Sequence, residues 1–247
     1  MNFCSRAVCW SMVVSFAAGV AVAAEPAPIQ LVKQPNVVPH LAAFPRIAAP
    51  DGPAMQRINQ HFANADVRAR KAAEGCDWKR SVTATMRGPR FLALIASDDW
   101  YCPGTAHPDA DSFALTYDLK TGAPLNWDRL LPKALGMTAT LDYSGDATPL
   151  GVVASPKLTA LYAAAAKAKV ADHCLQELHD SDLHFILWPD ARREGIAMQP
   201  SYLDHADAVC GVDVAIPLPT WRQLGVAPTL LDAIAAAHEA KLYDPTP

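Results

Sequence analysis

The alternation of hydrophobic and polar positions is most informative between Cys76 and Leu130, where it predicts three or four antiparallel strands. A hairpin centred on Gly88-Pro89-Arg90 places three apolar pairs on one face: Met86 with Leu92, Ala84 with Leu94, and Val82 with Ala96. Further from the turn, the same register predicts four more facing pairs: Arg80 with Asp98, Trp78 with Trp100, Cys76 with Cys102 and, on the opposite face, Lys79 with Asp99. Opposed charges, paired rings and facing cysteines hold a register, and a shift of one residue would lose all of them.

The first 24 residues have the pattern of a secretory signal peptide. One charge, Arg6, precedes an apolar run from Val8 to Val22 that ends in small residues. This run is short for a membrane span of ~20 residues and is followed by Glu25-Pro26-Ala27-Pro28. We therefore predict cleavage near Ala23 or Ala24 and a periplasmic or secreted chain without a membrane span.

The cysteines of the mature chain are expected to form disulfides. Cys4 and Cys9 lie in the predicted signal peptide, and the remaining four allow three pairings. An oxidising compartment favours bridges, and the hairpin register favours Cys76–Cys102, which leaves Cys174 with Cys210. A four-cysteine zinc site is the competing interpretation, but no pair has the close spacing that such sites use.

The rest of the chain predicts helices and strands of one domain. We expect an extended N-terminal arm over 25–43, a single domain over 44–242 and a loose tail over 243–247. Helices are predicted from Asp51 to about Ala73, Trp127 to Leu131, Ser155 to Leu178 and Thr229 to Lys241; strands are predicted at Phe113–Leu119, Leu183–Trp188, Gly195–Gln199 and Val212–Ile216. The mixture of Gly, Thr, Ser, Asp and Pro in residues 134–154 predicts a loop that contains at most one short strand. The predicted class is α+β, an antiparallel sheet with helices packed on it, stapled by disulfides.

Several segments resemble a family of extracytoplasmic domains of unknown function. They are FPRIAAPDGPAMQRINQHF, GTAHPD, YDLKTG, WDRLLP, HFILWPDARREGIAMQP and VDVAIPLPTWRQLG, spread from Phe44 to Gly225. That family occurs in the sensor ectodomain of the anti-sigma factor RsiV, which recognises lysozyme, and beside the catalytic domain of the peptidoglycan deacetylase PdaC. The resemblance implies a non-catalytic recognition module of the cell envelope with a partner such as lysozyme or peptidoglycan. Residues 134–154 do not match the family pattern.

The charge balance argues against nucleic acid as a partner. Removing Arg6 from the 21 basic residues leaves 20 against 25 acidic ones, a net charge near −5. Basic residues occur only in short groups such as Arg192-Arg193 and Arg68 to Lys71, and the net charge is negative, so an anionic membrane is also an unsuitable partner. Without a membrane span or a deacetylase domain, the chain is predicted to be neither a transducer like RsiV nor an enzyme like PdaC.

Candidate site residues cluster after the second strand of the hairpin. His107 lies in a Gly/Pro-bounded loop beside Asp109, as a general base and its orienting group would in a small periplasmic hydrolase. The structural alternative, which we prefer, is an imidazole that ties the loop to backbone, since no nucleophile or oxyanion motif accompanies the pair. We therefore predict no catalytic residue.

Aromatic residues at the open end of the hairpin are the other binding candidates. Trp78, Trp100 and Tyr101 have the character of rings that stack on a sugar or anchor a partner protein. The competing and preferred interpretation is that the two tryptophans pack over the disulfide as a small core. As candidates for a binding site we keep His107, Asp109, Trp78, Trp100 and Tyr101 beside this structural interpretation.

Possible metal ligands are frequent in the C-terminal half, but their spacing is unfavourable. The candidates are His173, His179, Asp180, Asp182, His184, His205 and Asp207. No HExxH, HxH or HxxxH spacing occurs on one regular element. We predict no metal and no cofactor, and keep a metal-binding periplasmic protein as a third interpretation.

Overall fold

A computed structural model describes residues 28–136, 138–143, 149–180, 183–201, 203 and 208–245. The predicted signal peptide lies outside this part, as do Asp182, His205 and Asp207. In chain order the helices and strands are β1 (Leu31–Val32), β2 (Arg46–Ile47), α1 (Gly52–Ala72), β3 (Asp77–Arg87), β4 (Phe91–Tyr101), β5 (Asp109–Asp118), α2 (Trp127–Leu130), β6 (Thr138–Tyr143), β7 (Pro149–Ala154), α3 (Pro156–Ala166), α4 (Asp172–Asp180), β8 (His184–Asp190), β9 (Gly195–Ser201), β10 (Val214–Pro217), α5 (Leu218–Leu224) and α6 (Pro228–Glu239). The predicted α+β class is confirmed.

The strands form separate antiparallel sheets instead of one. Among the described residues these are a two-stranded sheet β1-β2, a three-stranded sheet β3-β4-β5 and a five-stranded sheet β10-β9-β8-β7-β6. Both predicted disulfides are present, Cys76–Cys102 across the free ends of β3 and β4 and Cys174–Cys210 between α4 and a 3-10 turn, Ala208–Cys210. The three-stranded sheet therefore has a turn end, at Gly88-Pro89, and an open end, at the Cys76–Cys102 disulfide.

The hairpin register follows the prediction except near the turn. The confirmed pairs are Trp78–Trp100, Lys79–Asp99, Arg80–Asp98, Val82–Ala96 and Ala84–Leu94. The pair Met86–Leu92 is wrong, because a bulge between Ala84 and Met86 inserts Thr85 and brings Met86 opposite Ala93. The extra residue turns Met86 to the opposite face of the sheet, where it joins the larger hydrophobic core. Thr85 Oγ1 donates to the Pro189 carbonyl at 2.8 Å and so ties the bulge to β8.

The three-stranded sheet is buried on both faces, between a helix and the second sheet. α1 covers one face, where Ile58 and Phe62 are fully buried against Leu94 and Tyr117. On the other face, half-buried Ile95 and Ala114 pack on side chains of the five-stranded sheet, among them Ile186, Trp188 and Ala197. Alternate residues of β8, β9 and β10 point away from this contact into the largest core, which α3, α5 and α6 cover: Phe185, Leu187, Ile196, Met198, Val214 and Ile216. The result is four layers, helix, sheet, sheet and helices.

Two element predictions are corrected, and one helix is present that the sequence analysis does not predict. Residues 134–154 contain two strands, β6 and β7, because β7 pairs with β8 and β6 pairs with β7, which favours extended structure where local preference is weak. The helix predicted through to Leu178 is two helices, since the backbone N–H groups of Lys169 and Val170 both bond to Ala166 and end α3. The closing segment after β10 forms a helix, α5, with proline in its first turn and Gly225 at its C-cap.

Segments near the two ends of the described residues, including His40 and Leu242 to Asp244, run along β3. The predicted arm includes β1, which pairs with β2, and Leu41, which forms a parallel bridge to Arg80. In the predicted tail, the Asp244 N–H donates to the Ala84 carbonyl and the Tyr243 carbonyl accepts a bond from Arg87. The division into arm, domain and tail stays a prediction.

Candidate functional site

A cleft of about 400 Å³ opens between the two large sheets at the open end. One wall is formed by residues 97–100 of β4 and 109–112 of β5. The opposite wall comes from the end of β9 and the residues after it: Gln199, Pro200, Ser201, Leu203, Ala208 and Gly211. The cleft therefore lies beside the hairpin tips that the sequence singles out.

The cleft exists because the inter-sheet face changes from apolar to polar. Ile95 and Ala114 face each other across β4 and β5 and pack on the second sheet. The next pair on that face is Ser97 with Ser112, whose hydroxyl oxygens lie 3.2 Å apart, followed by Asp99 with Ala110. Polar groups lose hydration if they are buried without partners, so the sheets separate at the first polar pair. The same change occurs on β9, where half-buried Gln199 and Ser201 follow buried Ala197.

The walls of the cleft are acidic. Its described lining residues include four aspartates, Asp98, Asp99, Asp109 and Asp111, and no lysine, arginine or histidine. In the strand register Asp99 lies on the inter-sheet face, whereas the other three lie on the face that α1 covers and border the cleft from there. Asp98 is neutralised by Arg80 in a two-pronged ion pair, with Nε–Oδ1 2.7 Å and Nη2–Oδ2 2.5 Å. The other three are exposed, so their field reaches solvent and favours a cationic ligand.

The buried Arg80–Asp98 ion pair holds β3 and β4 together near the open end. Both side chains are about 5% exposed or less, and the guanidinium carbon lies 5.1 Å from the ring centre of Phe44 and 5.3 Å from that of Phe113. A buried ion pair holds its geometry because either charge left alone in that environment is costly. The Arg80 N–H also donates to the His40 carbonyl at 3.0 Å, which attaches the arm to the sheet.

Two of the predicted site residues meet at the cleft. Trp100 and Asp109 are direct partners in the β4–β5 register, and both line the cleft. Trp78 follows in the same row, with its ring centre 5.3 Å from that of Trp100, and packs half-buried beside Val37 and Leu41. Tyr101 is 46% exposed on the opposite face of β4. The roles of these residues in binding stay predictions.

The His107 loop lies beside the cleft and is exposed. The imidazole Nδ1 is 2.9 Å from the carbonyl oxygen of Pro108, within hydrogen-bonding distance. Asp109, the first residue of β5, accepts a bond from the N–H of Ala110 through its carboxylate. Both contacts are local and hold the entry of the chain into β5. Neither identifies the pair as catalytic.

Sequence reasoning missed the polar residues of the inter-sheet face. Ser97, Asp99, Ser112 and Gln199 are the side chains that the cleft presents between the sheets. The available signal was their spacing, because Ser97 and Asp99 continue the every-second-residue pattern of Ala93 and Ile95 with polar side chains. Gln199 could not be placed without knowing that β9 faces β4.

Tyr162 and Arg193, near β10 and the β8–β9 hairpin, have shifted pKa values. Burial raises the pKa of Tyr162 above its usual range, and the hydroxyl donates to the Val212 carbonyl at 2.8 Å. Burial alone would lower the pKa of Arg193, but the carboxylates of Asp190 and Asp213 outweigh it and raise the pKa. Both groups stabilise the fold around the β8–β9 hairpin and β10.

One group of possible metal ligands occurs within the described ranges. It consists of His173, Cys174 and Cys210, and the two sulfur atoms are already joined in a disulfide. Sulfur in a disulfide is not the thiolate that metals bind. The side chains of His179 and Asp180 lie outside the described part of the chain, so the metal interpretation stays a prediction for them.

Comparisons with known proteins add a structural similarity. No family model and no curated protein matches the chain. A DUF3298 family member from Bacteroides fragilis is 14% identical over 74% of this chain and 69% of its own, with a TM-score of 0.43. A DUF3298 protein from Pseudomonas aeruginosa is 12% identical over 66% and 69%, with a TM-score of 0.36. The resemblance to the family of RsiV and PdaC stays a prediction. No helix in the described ranges is long and apolar enough to span a membrane.

Proposed function

We propose that the chain is an exported, non-catalytic recognition module of the cell envelope that binds its partner at the open end. The observation that supports this most is the cleft between the sheets, with acidic and hydroxyl side chains on its walls and Trp100 beside them. A concave, polar site next to a partly exposed aromatic ring is suited to binding. The disulfides and the signal-peptide pattern favour an oxidising, extracytoplasmic compartment.

The acidic walls favour a basic protein as the partner. Asp99, Asp109 and Asp111 are exposed, and complementary charge increases the rate of association and excludes acidic competitors. Lysozyme is the first candidate, because the sequence resembles a family with a lysozyme-recognising member. Peptidoglycan is the second partner that the resemblance implies, and it would use ring stacking on Trp100 instead of charge.

Binding of lysozyme to the purified, oxidised chain tests this proposal. We expect binding that weakens as salt rises, and that acetylation of the lysozyme amines reduces. Asp99→Asn and Asp109→Asn should each weaken it by roughly two- to fivefold, the range of exposed charge pairs. Asp51→Asn is the matched control, because Asp51 is exposed, makes no capping bond with its side chain and lies at the turn end.

The outcomes separate the two partners. Pelleting of the chain with purified peptidoglycan, together with no binding to lysozyme, would make the glycan the partner. If neither binds, or if the cleft variants bind as the control does, the open end is not the recognition surface.

A further inference from the structure

The two edges of the three-stranded sheet differ in how their backbone groups are satisfied. The outer edge of β3 is covered by segments near the two ends of the described residues. The Arg80 N–H donates to His40, the Arg87 N–H donates to the Leu242 carbonyl, and the Ala84 carbonyl accepts a bond from Asp244. Unpaired strand edges attract other strands, and covering them prevents this.

The edge of β5 is covered over only part of its length. Near the turn end, the Leu125 N–H donates to the Thr116 carbonyl and the Asp118 N–H donates to that of Ala123. Over Asp109–Ala114, no described residue outside the sheet makes a backbone hydrogen bond to β5. In an antiparallel strand every second residue directs its N–H and C=O groups to the outer side. By the same alternation that turns Thr116 and Asp118 outward, the outward residues of this half are Ala110, Ser112 and Ala114. Their carbonyls accept no backbone hydrogen bond from described residues outside the sheet, whereas the N–H groups of Ala110 and Ser112 donate to the neighbouring carboxylates of Asp109 and Asp111, at 2.9 and 2.7 Å. A ligand that draws these two exposed carboxylates away would free both N–H groups beside the cleft.

This stretch has few of the features that disable an edge strand. Residues 109–114 contain no proline and no lysine, and the pairing of β4 with β5 is regular along its whole length. Residues 109–111 are exposed and 112–114 are half-buried, so an added strand would have access. The charged side chains at this edge are Asp109 and Asp111, which lie on the same face.

The two aspartates select what can pair with this edge. Like charges directly opposite one another destabilise a strand pair, and opposite charges stabilise it. A second copy of this strand, or any acidic strand, would therefore be disfavoured, whereas lysine or arginine at alternate positions would face Asp109 and Asp111. Side chains at the intervening positions would point to the side of the sheet on which Ser97 and Asp99 border the cleft.

We propose that the Asp109–Ala114 edge binds an extended, basic peptide segment of the partner as an added β-strand. This rests on the proposal that the open end is the recognition surface, and it names the partner chemistry and the binding mode. Main-chain hydrogen bonds to β5 supply affinity, and the two aspartates supply the preference for basic residues. The cleft receives the side chains that point between the sheets.

A synthetic peptide of alternating lysine and threonine, about ten residues long, tests the mode of binding. Two N-methylated forms are made, one methylated at the lysine amides and the other at the threonine amides. In strand addition only alternate amides of the peptide bond to β5, so one form should bind like the parent peptide and the other at least about tenfold more weakly. Hydrogen exchange should show new protection at alternate amides within residues 109–114.

Charge reversal at the edge tests the preference for basic residues. Asp109→Lys should weaken binding of the parent peptide by about fivefold, because it places like charges opposite one another. Asp51→Lys makes the same change of charge at the turn end and should leave the dissociation constant unchanged. Equal effects of the two variants would contradict a role for Asp109 at the edge.

The results distinguish strand addition at the β5 edge from the broader proposal that the open end is the recognition surface. Equal binding of the two N-methylated forms, or absence of peptide binding while lysozyme still binds, would show that the open end recognises its partner without strand addition. Failure of both lysozyme and the peptide to bind would overturn the proposed function as well as the strand addition. Unequal binding of the two N-methylated forms, with protection confined to alternate amides of β5, would support strand addition.

Discussion

The turn end and the open end of the three-stranded sheet are built on the same alternation but have opposite surroundings. On the face of β4 that meets the second sheet, the successive residues are Phe91, Ala93, Ile95, Ser97, Asp99 and Tyr101. Phe91 and Ala93 are buried, Ile95 is half-buried, and the last three are exposed. The position at which side chains become polar is therefore also the position at which the sheets part.

The two ends of the three-stranded sheet also differ in the contacts that stabilise them. At the turn end, β3 is bonded to the C-terminal segment and the Thr85 bulge is bonded to β8. At the open end, the strands are held by the Cys76–Cys102 disulfide, the tryptophan pair and the buried ion pair of Arg80 with Asp98. The N-terminal arm adds the bond from Arg80 to His40 and the packing of Trp78 on Val37 and Leu41. The inter-sheet face of this end is left uncovered, so contacts within the hairpin supply much of its stability. Removing those contacts one at a time tests how much each of them contributes to the stability of the open end.

The buried ion pair should be the largest single contribution at the open end. Asp98→Ala would leave the Arg80 guanidinium without its carboxylate between two aromatic rings, at a cost of roughly 3 to 5 kcal/mol in the free energy of unfolding. Urea denaturation measures this. The double change Arg80→Met with Asp98→Leu removes both charges and should cost much less. Arg90→Ala removes an ion pair at the turn end whose arginine is 45% exposed, and should cost less than about 1 kcal/mol. If Asp98→Ala lowers the free energy of unfolding only slightly, the ion pair is not the largest contribution at the open end.

The open-end disulfide should come next. Cys76→Ala with Cys102→Ala opens a loop with a sequence separation of 26 and should lower the free energy of unfolding by about 3 kcal/mol. The two ends should also differ in hydrogen exchange, which should rise at the outer residues of β3 and β4 and stay unchanged near the Thr85 bulge. If hydrogen exchange rises equally at both ends, the Cys76–Cys102 disulfide does not stabilise the open end in particular.

Two glycines with positive φ provide a matched comparison of crowding. A Cβ at Gly122, at the turn end, would lie 2.4 Å from the Ala54 carbonyl oxygen, whereas one at Gly104, at the open end, meets nothing within 4 Å. Both changes to alanine carry the strain of positive φ, about 1 kcal/mol. Gly122→Ala should cost roughly 1 to 3 kcal/mol more, because the backbone of α1 must move. Thermal unfolding of the two variants gives the difference, and equal losses would mean that α1 adjusts freely.

The hairpin was predictable because several independent pair types agreed on one register. Charge pairs, the tryptophans and the cysteines all favour the same alignment, and that alignment is confirmed from Trp78–Trp100 to Ala84–Leu94. The bulge at Thr85 was not predictable, because both registers near the turn place apolar residues together. The buried contact that favours the bulge, Thr85 with Pro189, joins residues more than a hundred positions apart.

The cleft was only partly predictable for a related reason. Sequence reasoning placed Trp100 and Asp109 at the open end, since both belong to the hairpin and the loop that follows it. The second wall comes from β9, and nothing local in Gln199 or Ser201 indicates that they face Ser97. The strands within 134–154 likewise depend on distant pairing, because β7 pairs with β8 and β6 pairs with β7.

The smallest expected effect is at His107, and it distinguishes recognition from catalysis. Because the side chain is exposed and its described bond is to the neighbouring Pro108 carbonyl, His107→Ala should change the free energy of unfolding by less than about 0.5 kcal/mol. Thr105→Ala, which removes a hydroxyl bonded to the Cys102 carbonyl in the same loop, is the matched control. If His107 is a binding residue, lysozyme binding should weaken in His107→Ala and not in Thr105→Ala. Hydrolysis of an envelope substrate that is present in the parent chain and absent only in His107→Ala would instead make the His107 loop a catalytic centre, and the cleft would then be its substrate site.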